Sequence, residues 1–526
     1  MTDTRLAASV PPVASSPPGN NRPDGSANGR RPLLAELTDW ASTLRLDAVP
    51  DRVAELATSQ VLSQLAAARA GLRHPLGRAV VTAFGPPGQA DPKQAAYSLA
   101  GLTSWLHVDD TAFAGHLSNS TVTVPVSYAR AAGRDGAALL AAVVAANECA
   151  ARITAAAALS VYRGQSAAHT HLVGAVAGRL HCERAPAHLW RSAIGLALGM
   201  PPATVAHGFL GSDAKVLSAS TPVRAGLDAC DAAAGGLTGA ADILEHPNGF
   251  LARFATVPLP ELVTAGLGER WHTDTLSFKL HPGGPGMDGA VDCAIELARQ
   301  TGPLRAADID EVVVEGSLYT TVVNRRTAPH LRGPDTPVSA LVFAMPYLVA
   351  TALLTGTVTA EDFAPPAVAD PQRWALAAKV RVEHDPAMTR ELFRCEIPFG
   401  EALRAAGERG RRWLAEFAGS WDDFGRDELL RLVGEPVAPS RTFETARKVT
   451  PARLRLHMSD GSIHCRELDV PLGGAGSPSR DQHAALVREK FLAVGGAPEV
   501  ADRLLELPKL PAAELNALLR RALRED

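Results

Sequence analysis

Cysteine is scarce in this sequence, and the six residues lie far apart, at positions 149, 182, 230, 293, 395 and 465. No two of them form a Cys-x-x-Cys pair. Structural zinc sites, iron–sulfur clusters and disulfide frameworks need clustered or paired thiols, so this spacing argues against all three. Isolated free thiols fit a reducing compartment, and we therefore expect a cytoplasmic protein.

An excess of charge of one sign and an uninterrupted apolar run are also missing. The formal net charge is -4, which provides no electrostatic case for nucleic acid as a partner. Residues 1–32 are rich in Pro, Ser, Gly and Asn, so we predict a disordered tail and no signal peptide. The most apolar stretch, residues 136–162, is interrupted by Asn147, Glu148 and Arg152, which favours a buried helix over a membrane span. We therefore expect no membrane partner.

Lysine is also rare in this sequence. Seven lysines, at positions 93, 215, 279, 379, 448, 490 and 509, leave 45 arginines among the 52 basic residues. An arginine bias of this kind reflects a GC-rich genome rather than a function. Because lysines are so few, any lysine in an apolar context is a candidate functional group.

The pattern of apolar residues divides the chain into parts. A chain of 526 residues exceeds the roughly 250 to 300 residues that one core supports, so several lobes are expected. Residues 33–270 are Ala-rich and helical in pattern, with breaks at Pro and Gly clusters, and they predict one large all-helical domain. Residues 271–475 contain strand-like segments at 309–316, 378–385 and 452–470, with a hairpin signal at Asp460-Gly461. They predict a smaller α+β domain.

Two further segments complete this organisation. Residues 387–448 stand between strands that we expect to pair, and their highly charged stretch FGEALRAAGERGRRWLAEFAG predicts an exposed helix, so we interpret them as an insertion. Residues 476–526 end the chain in helices.

Polar residues are concentrated in the segment HVDDTAFAGHLSN, residues 107–119, between two apolar regions. A carboxylate such as Asp109 and an imidazole such as His116 can divide the base and acid roles at one carbon atom, if burial and neighbours adjust their pKa values. The alternative is structural, because Asp and Thr also cap helices. Spacing alone leaves both interpretations open.

A second polar segment, FKLHPGGPGMDGAVD, covers residues 278–292. Its glycines suit a loop that exposes backbone amides at the start of a helix, where anions bind favourably. Lys279 is then a candidate charge stabiliser. The alternative is a surface lysine whose aliphatic stem covers apolar surface.

The order of these parts is similar to that of a known family. A DDT loop near residue 110, an FKxHP loop near 280 and the pattern A-x-x-F-x-x-P-Y from Ala340 to Tyr347 resemble the MmgE/PrpD family, from about residue 33 to 385 and from about 450 onward. This family includes 2-methylcitrate dehydratase, cis-aconitate decarboxylase and iminodisuccinate epimerase. The resemblance implies a mainly α fold, with a large all-helical domain that residues 476–526 rejoin and a smaller α+β lid.

The resemblance also implies a homodimer with its active site between the two domains and with no metal or organic cofactor. The shared chemistry acts on a proton next to a carboxylate of a small-molecule substrate. In the DDT loop, His107 stands where relatives carry an Asp, Asp109 and Thr111 match, and His116 is one residue early. These residues are identified as catalytic (Asp109 and His116) or substrate-binding (His107 and Thr111).

The FKLHPGG segment departs further from the family pattern. Lys279 and His281 match, whereas Pro285 stands at the position of an Arg that would hold a substrate carboxylate, and Asp288 at that of a His. We assign Lys279 to catalysis, and His281 and Asp288 to substrate binding. The missing Arg weakens the assignment to a tricarboxylate substrate.

Three other positions follow from the resemblance. In HTHLVGAVAG, we favour His169 over His171 as the catalytic partner acid, while a structural role remains the alternative. Histidines at i and i+2 do not share a helix face, which argues against a metal pair. Either Lys215 or Arg224 supplies a substrate-binding cation, depending on the alignment of residues 211–226. Tyr319 stands where relatives place a substrate-contacting residue.

We therefore expect a cofactor-independent lyase or isomerase that abstracts a proton alpha to a carboxylate or carbonyl of a small acidic substrate. The replaced loop residues favour a specialised biosynthetic member. The alternatives are a 2-methylcitrate dehydratase or cis-aconitate decarboxylase proper, a cyclase or tailoring enzyme acting on a natural-product intermediate, and a catalytically silent binding or scaffold protein.

Overall fold

The structure, a computed structural model, describes residues 31–113, 115–160, 168–418 and 438–523. The predicted disordered tail, residues 1–32, falls outside these ranges except for its last two residues. Part of the predicted insertion, residues 419–437, also lies outside the described residues.

The first half of the chain is helical, as predicted. Its Ala-rich segments form helices at little conformational cost, and Pro or Gly residues separate them. The helices are α1 (Leu33–Ser42), α2 (Asp51–Arg73), α3 (Pro75–Phe84), α4 (Pro92–Ser104), α5 (Ser118–Thr121), α6 (Thr123–Ala131), α7 (Gly136–Ala156), α8 (Ala168–Glu183), α9 (Ala187–Gly199), α10 (Ala206–Gly211), α11 (Leu217–Ala234) and α12 (Phe250–Phe254).

Helix α7 forms the centre of this helical core. The Asp135 side chain caps it by accepting a hydrogen bond from the amide of Ala138 at 2.8 Å. Within the described part of the chain, α7 is the one helix long and apolar enough to cross a membrane, and 89% of its most apolar window is buried inside the protein. The prediction of a buried helix within residues 136–162 is therefore confirmed for Gly136–Ala156.

The described residues contain a short two-stranded sheet in the DDT loop and a four-stranded sheet in the second half of the chain. The strands are β1 (Thr111–Ala112), β2 (Gly115–His116), β3 (Ile309–Gly316), β4 (Val380–His384), β5 (Ala452–Met458) and β6 (Ile463–Leu468). β1 and β2 pair with each other, and the large sheet has the order β4-β3-β5-β6. β3 is parallel to β4 and antiparallel to β5. All three predicted strand regions are confirmed, but the expected pairing of β4 with β5 is wrong because β3 lies between them.

The remaining helices accompany this sheet or return to the helical core. They are α13 (Asp288–Thr301), α14 (Leu318–Thr327), α15 (Val338–Leu341), α16 (Met345–Thr355), α17 (Pro371–Ala377), α18 (Pro386–Arg394), α19 (Gly400–Ala406), α20 (Gly410–Ala418), α21 (His483–Ala493), α22 (Pro498–Leu504) and α23 (Ala512–Ala522). Together with the small sheets, they confirm the predicted mainly α fold with a smaller α+β region.

The prediction of an exposed helix within residues 387–448 is wrong. Helices α18 to α20 are amphipathic, and their apolar faces join the hydrophobic core of the helical half. Trp413 is buried there, and its indole Nε1 donates to the carbonyl oxygen of Ser160 at 3.0 Å. Glu408, Arg411 and Arg412 face solvent, which is why composition suggested full exposure, whereas Glu401 is buried beside Arg270.

The C-terminal helices pack on the first helices of the chain. Helix α21 lies along α2, and the amide of Gly136 donates to the carbonyl oxygen of Leu510 at 2.8 Å. A Cβ atom at Gly136 would lie 1.7 Å from the carbonyl oxygen of Leu507, so only glycine permits this approach. The buried apolar residues form two clusters, one mainly helical and one around the large sheet, and the polar loops of interest lie along the boundary between them.

Candidate active site

The two polar segments meet in the structure. The backbone of Thr111 pairs with that of Ser277 in both directions, with N–O distances of 3.1 and 2.7 Å. This bridge places the DDT loop, between α4 and α5, directly beside the FKLHPGG loop before α13. Two segments that are 170 residues apart in sequence therefore share one buried site.

Asp109 and His116 form a buried pair at the centre of the DDT loop. His116 Nδ1 lies 2.8 Å from Asp109 Oδ2, and Asn119 Nδ2 donates to the same oxygen at 3.0 Å. Burial opposes ionisation of Asp109, but the charge and hydrogen bond of His116 prevail and lower its pKa. An ionised Asp109 accepts the Nδ1 proton, which leaves Nε2 as the basic ring nitrogen of His116.

His107 packs against this pair in an unusual backbone conformation. Its φ angle is +53°, in the left-handed region that non-glycine residues rarely adopt. The His107 ring lies 4.5 Å from that of His116 and 4.7 Å from that of Phe343, both in edge-to-face geometry. Burial lowers the pKa of His107 well below its ordinary value, so the ring is neutral. Its Nδ1 atom has no hydrogen-bond partner among the described residues.

Asp110 points away from Asp109, toward helices α2 and α21. Its Oδ1 atom accepts from Ser63 Oγ at 2.8 Å and lies 3.8 Å from Lys490 Nζ. Burial raises the pKa of Asp110 to about 6 despite the nearby lysine. Asp110 therefore anchors the DDT loop to the helical core, and sequence reasoning did not assign it a role.

The FKLHPGG loop supplies a cation and a second carboxylate. Lys279 Nζ donates to the carbonyl oxygen of Gly283 and lies 3.6 Å from Asp288 Oδ1. A Cβ atom at Gly284 would lie 2.1 Å from the ring of Phe343. Only glycine at this position therefore lets the loop pack so closely against Phe343. Both Lys279 and Asp288 are buried, which excludes the surface interpretation of this lysine.

His281 lies on the far side of the same loop. Its Nε2 atom is 3.0 Å from Asp292 Oδ1, and Asp292 Oδ2 accepts from the amide of Leu472 at 2.9 Å. Burial lowers the pKa of His281, but the hydrogen bond and charge of Asp292 outweigh it and raise the pKa overall. The pair orients the loop against the C-terminal segment and lines a narrow pocket beside Lys279.

The structure distinguishes between Lys215 and Arg224. Lys215 lies in a short 3-10 turn before α11, is buried, and donates from Nζ to the carbonyl oxygen of Ser104 at 2.6 Å. Its Nζ atom also lies 5.2 Å from the ring centre of Phe209. Burial lowers the pKa of Lys215 well below its ordinary value. The Arg224 side chain is 41% exposed and lies 3.6 Å from Asp228 on the outer face of α11, away from the site.

Two further lysines reach the DDT loop from the end of the chain. Lys448 Nζ donates to Thr111 Oγ1 at 3.2 Å and lies 3.8 Å from Asp288 Oδ2. Lys490 Nζ donates to Ser63 Oγ at 2.6 Å and to the carbonyl oxygen of Val108 at 2.7 Å. Four of the seven lysines are therefore buried around one site, and for Lys448 and Lys490 only the rarity of lysine in the sequence pointed to them.

This set of loops can be compared with known protein families. A family model described as the MmgE/PrpD N-terminal domain matches residues 35–262, and one described as the MmgE/PrpD C-terminal domain matches residues 281–430. The two ranges cover more than half of the 526 residues. The chain belongs to the MmgE/PrpD family. A comparison with curated proteins finds no match.

Membership of the MmgE/PrpD family indicates an enzyme of the dehydratase or lyase type, or a related isomerase. The N-terminal match contains the DDT loop and Lys215, and the C-terminal match begins at His281. Lys279, Lys448 and Lys490 fall outside both ranges, so the match itself assigns nothing to them.

In this MmgE/PrpD protein, His171 rather than His169 faces the Asp109–His116 pair. His171 Nδ1 lies 3.2 Å from Ser120 Oγ, and burial together with the nearby His116 lowers its pKa to about 3. The ring of His169 instead lies 5.4 Å from that of Phe250, and burial alone lowers its pKa to about 4. His169, the predicted partner acid, therefore lies on the face of α8 that is turned toward Phe250.

The last predicted residue, Tyr319, borders the FKLHPGG loop. It is half-buried, and a Cβ atom at Gly286 would lie 3.2 Å from its ring. Its ring also meets that of Phe399 edge-to-face at 5.3 Å. Tyr319 therefore links this loop to the segment before α19. Within the described ranges, no group of three or more His, Cys, Asp or Glu side chains has a geometry that would hold a metal ion.

Proposed function

We propose that the protein is a cofactor-independent lyase or isomerase that removes a proton alpha to a carboxylate or carbonyl of a small acidic substrate. The observation that carries this proposal is the Asp109–His116 pair, 2.8 Å apart and buried, with Lys215 and Lys279 close enough to act on the pKa of Asp109. Family membership supports the same class of chemistry.

His116 is the proposed base. The Asp109 carboxylate fixes the proton on Nδ1 and stabilises the imidazolium that forms when Nε2 takes the substrate proton. The base stands in a water-poor site, where such a charge pair is stronger than in bulk water. His171 takes the place of His169 as the proposed partner of this pair; its ring is neutral at a pKa of about 3, so it acts as a hydrogen-bond donor to the forming anion.

The lysines stabilise the negative charge that develops when the proton leaves, because an anion beside a buried lysine such as Lys215 favours its charged form. A proton alpha to a carboxylate is weakly acidic, so deprotonation needs fixed positive charge near the forming enolate. Lys279 projects from the loop that Thr111 and Ser277 tie to the base, and Lys215 approaches from the side of Phe343. His107 and Phe343 form the wall between the base and Lys215, where relatives carry an acid in place of the histidine.

We further propose that the substrate is that of a specialised biosynthetic member. His107, Pro285 and Asp288 depart from the family pattern at three positions of the two loops. A 2-methylcitrate dehydratase or cis-aconitate decarboxylase proper is the second candidate, and Lys448, 3.8 Å from Asp288, favours it by adding a buried cation beside the FKLHPGG loop. The resemblance also supports a homodimer, for which the solution mass of the purified protein is the test, and the isolated free thiols support a cytoplasmic location.

Proton exchange tests the proposed chemistry without knowledge of the final product. The protein is incubated in heavy water with 2-methylcitrate, cis-aconitate, succinate and tricarballylate, and deuterium uptake is followed by NMR and mass spectrometry. We expect uptake next to a carboxylate of at least one acid, and none with the variant His116→Gln. Uptake equal to the enzyme-free rate with every acid would overturn the proposal and favour a silent scaffold.

The same samples separate the two candidates. Turnover of 2-methylcitrate or cis-aconitate at about 1 to 10³ per second, the usual range for enzymes, assigns the housekeeping reaction and overturns the specialised one. Exchange without turnover of either acid supports the specialised member. Analysis of the products then distinguishes loss of water, loss of CO2, epimerisation and cyclisation.

A further inference from the structure

A cavity of about 200 Å³ lies between the start of α8, helix α10 and the start of α11. It is separate from the DDT and FKLHPGG loops. None of the described residues that line it is charged, and most of them are apolar. They include Ala203, Val205, Phe209, Ala214, Leu217 and Pro222. A concave surface of this composition is typical of a site that binds an apolar group.

The volume of the cavity limits the size of that group. An apolar cavity of roughly 150 Å³ is enough for a benzene ring, so this larger one has room for about six to eight carbon atoms. The pocket beside Lys279 has a volume of about 10 Å³, which is room for a single water molecule. A bulky part of a ligand therefore does not fit beside Lys279, whereas it fits in the cavity.

The rim of the cavity exposes apolar side chains to water. Val205 is 73% exposed and Leu217 is 41% exposed, and both are among the few large apolar side chains exposed in the described part of the chain. Ser218, which also lines the cavity, donates from Oγ to the carbonyl oxygen of Lys215 at 2.7 Å, so its hydroxyl hydrogen is used within the protein. An apolar ligand that covers this rim removes apolar surface from water, which favours its binding.

Phe209 connects the cavity with the candidate active site. Its ring lines the cavity, lies 5.2 Å from Lys215 Nζ and is 6.0 Å from the ring of Phe343. Phe343 in turn lies 4.7 Å from the ring of His107 in the DDT loop. A single aromatic side chain therefore stands between the cavity and the Nζ atom of Lys215.

The short turn that carries Lys215 borders both the cavity and the site. Ala214 lines the cavity, whereas the next residue, Lys215, is buried and donates from Nζ to the carbonyl oxygen of Ser104. Among the described residues this is the one hydrogen bond that Nζ donates, although an ammonium group has three N–H donors. A carboxylate bound at Lys215 therefore has its hydrocarbon part within one side chain of the cavity.

We propose that the cavity binds an apolar substituent of the substrate, a chain or ring of about six to eight carbon atoms, while an acid group of the substrate lies at Lys215. This inference rests on the proposed function for the reaction, and it adds the substrate class, which is an amphiphilic acid. The two ends of the substrate are then bound on opposite sides of Phe209.

A series of straight-chain acids tests this inference by binding alone. Calorimetry compares butanoate, hexanoate, octanoate and decanoate on the wild type, on Gly208→Leu and on the control Gly199→Leu. A Cβ atom at either glycine would meet no atom within 4 Å, so neither change causes a clash. Gly208 lines the cavity, whereas Gly199 lies at the exposed end of α9, so only Gly208→Leu fills the cavity.

In the wild type and the control, we expect the affinity to rise about threefold for each added methylene group until the cavity is full. The gain from butanoate to octanoate should therefore be about thirtyfold or more. In Gly208→Leu this gain should fall to about threefold or less, with the affinity for butanoate nearly unchanged. An equal gain in all three proteins, or no gain in the wild type, would overturn the inference.

A second measurement needs no filled cavity. In wild-type protein with labelled Val and Leu methyl groups, nuclear Overhauser effects from the terminal methyl group of octanoate should reach Val205 and Leu217. The variants Val205→Ala and Leu217→Ala identify the two signals. Contacts of octanoate with other methyl groups alone would contradict the inference.

Octanol, which lacks the carboxylate, distinguishes a part of the substrate site from an unconnected apolar site. We expect the wild type to bind octanoate about tenfold or more tightly than octanol, the size of a charge-assisted hydrogen bond, and Lys215→Met to remove this preference. A preference that Lys215→Met leaves unchanged would assign the cavity to another ligand and overturn the inference. A chain-length gain without deuterium exchange of any acid would overturn the proposed function alone, and exchange without a chain-length gain would overturn this inference alone.

Discussion

Asp109 orients His116 through a single contact, the 2.8 Å hydrogen bond between Oδ2 and Nδ1. Asn119 holds the same carboxylate oxygen at 3.0 Å, while Asp109 Oδ1 has no partner among the described residues. The orientation of the imidazole therefore depends on a carboxylate that the loop itself provides, seven residues before the histidine.

Loss of His116, the proposed base, should nearly abolish deuterium exchange. His116→Gln is expected to lower the rate of deuterium exchange by about 10²- to 10⁴-fold, the usual contribution of a positioned base. Asp109→Asn should lower the same rate, because the amide does not stabilise the imidazolium. The exposed His188 provides the control His188→Gln, which should keep the wild-type rate. Normal exchange in His116→Gln would assign the base to another group.

Lys215 and Arg224 give a sharp comparison because either fitted the sequence. Lys215→Met is expected to reduce the exchange rate by about 10²-fold or more, as expected when one preorganised group that stabilises developing charge is removed. Arg224→Met should leave the rate unchanged, since this side chain faces solvent beside Asp228. The measurement is again deuterium uptake, with circular dichroism to confirm folding. The opposite ranking would identify Arg224 as the substrate-binding cation in place of Lys215.

His169 should govern acid stability rather than catalysis. Burial lowers its pKa to about 4 in the folded protein, compared with an ordinary value of 6.5. Between these values only the unfolded chain binds the proton, so this residue lowers stability as the pH falls from about 6.5 to about 4. The difference is at most about 3 kcal/mol, from roughly 1.4 kcal/mol for each unit of pKa shift.

The variant His169→Phe should therefore lose less stability than the wild type between pH 7 and pH 4.5. The change in thermal midpoint between the two pH values is the measurement, and the exchange rate at pH 7 should remain near that of the wild type. His171→Phe should instead reduce the exchange rate. An unaltered exchange rate in His171→Phe would remove it as the hydrogen-bond donor to the forming anion.

Helix α20 provides a test of the corrected packing of residues 387–448. Trp413→Ala removes a buried indole and its hydrogen bond to Ser160, so we expect a loss of about 3 to 5 kcal/mol, seen as a lower thermal midpoint. Arg412→Ala, on the neighbouring exposed position, should change stability by about 0.5 kcal/mol or less. Equal midpoints for the two variants would restore the original prediction of an exposed helix.

The local patterns of the sequence were sufficient for most elements. Residues 309–316 form a strand as predicted because their β-branched side chains suit a pleated, buried surface, and the Asp460-Gly461 hairpin follows from turn chemistry. Strand order was not predictable in this way. β3 accepts partners on both edges, and nothing in the alternation of β4 or β5 identifies which edge each one takes.

The contacts of the site residues were also not predictable from local sequence patterns. His169 and His171 are two residues apart, and a helix turns about 200° over two residues, so an alignment error of two residues exchanges their environments. Lys448 and Lys490 join the DDT loop across 337 and 382 residues of chain, and no local pattern encodes such contacts. Charged residues dominate the composition of α20, and only the spacing of its apolar residues indicates that Trp413 is buried.

The contacts made by Lys448 and Lys490 determine when, during synthesis of the chain, the site becomes complete. The Asp109–His116 pair and Lys279 belong to the first 279 residues, but two of the four buried lysines, Lys448 and Lys490, come more than 160 residues later. A nascent chain that has already folded its helical body therefore lacks half of these lysines until residue 490 has been added.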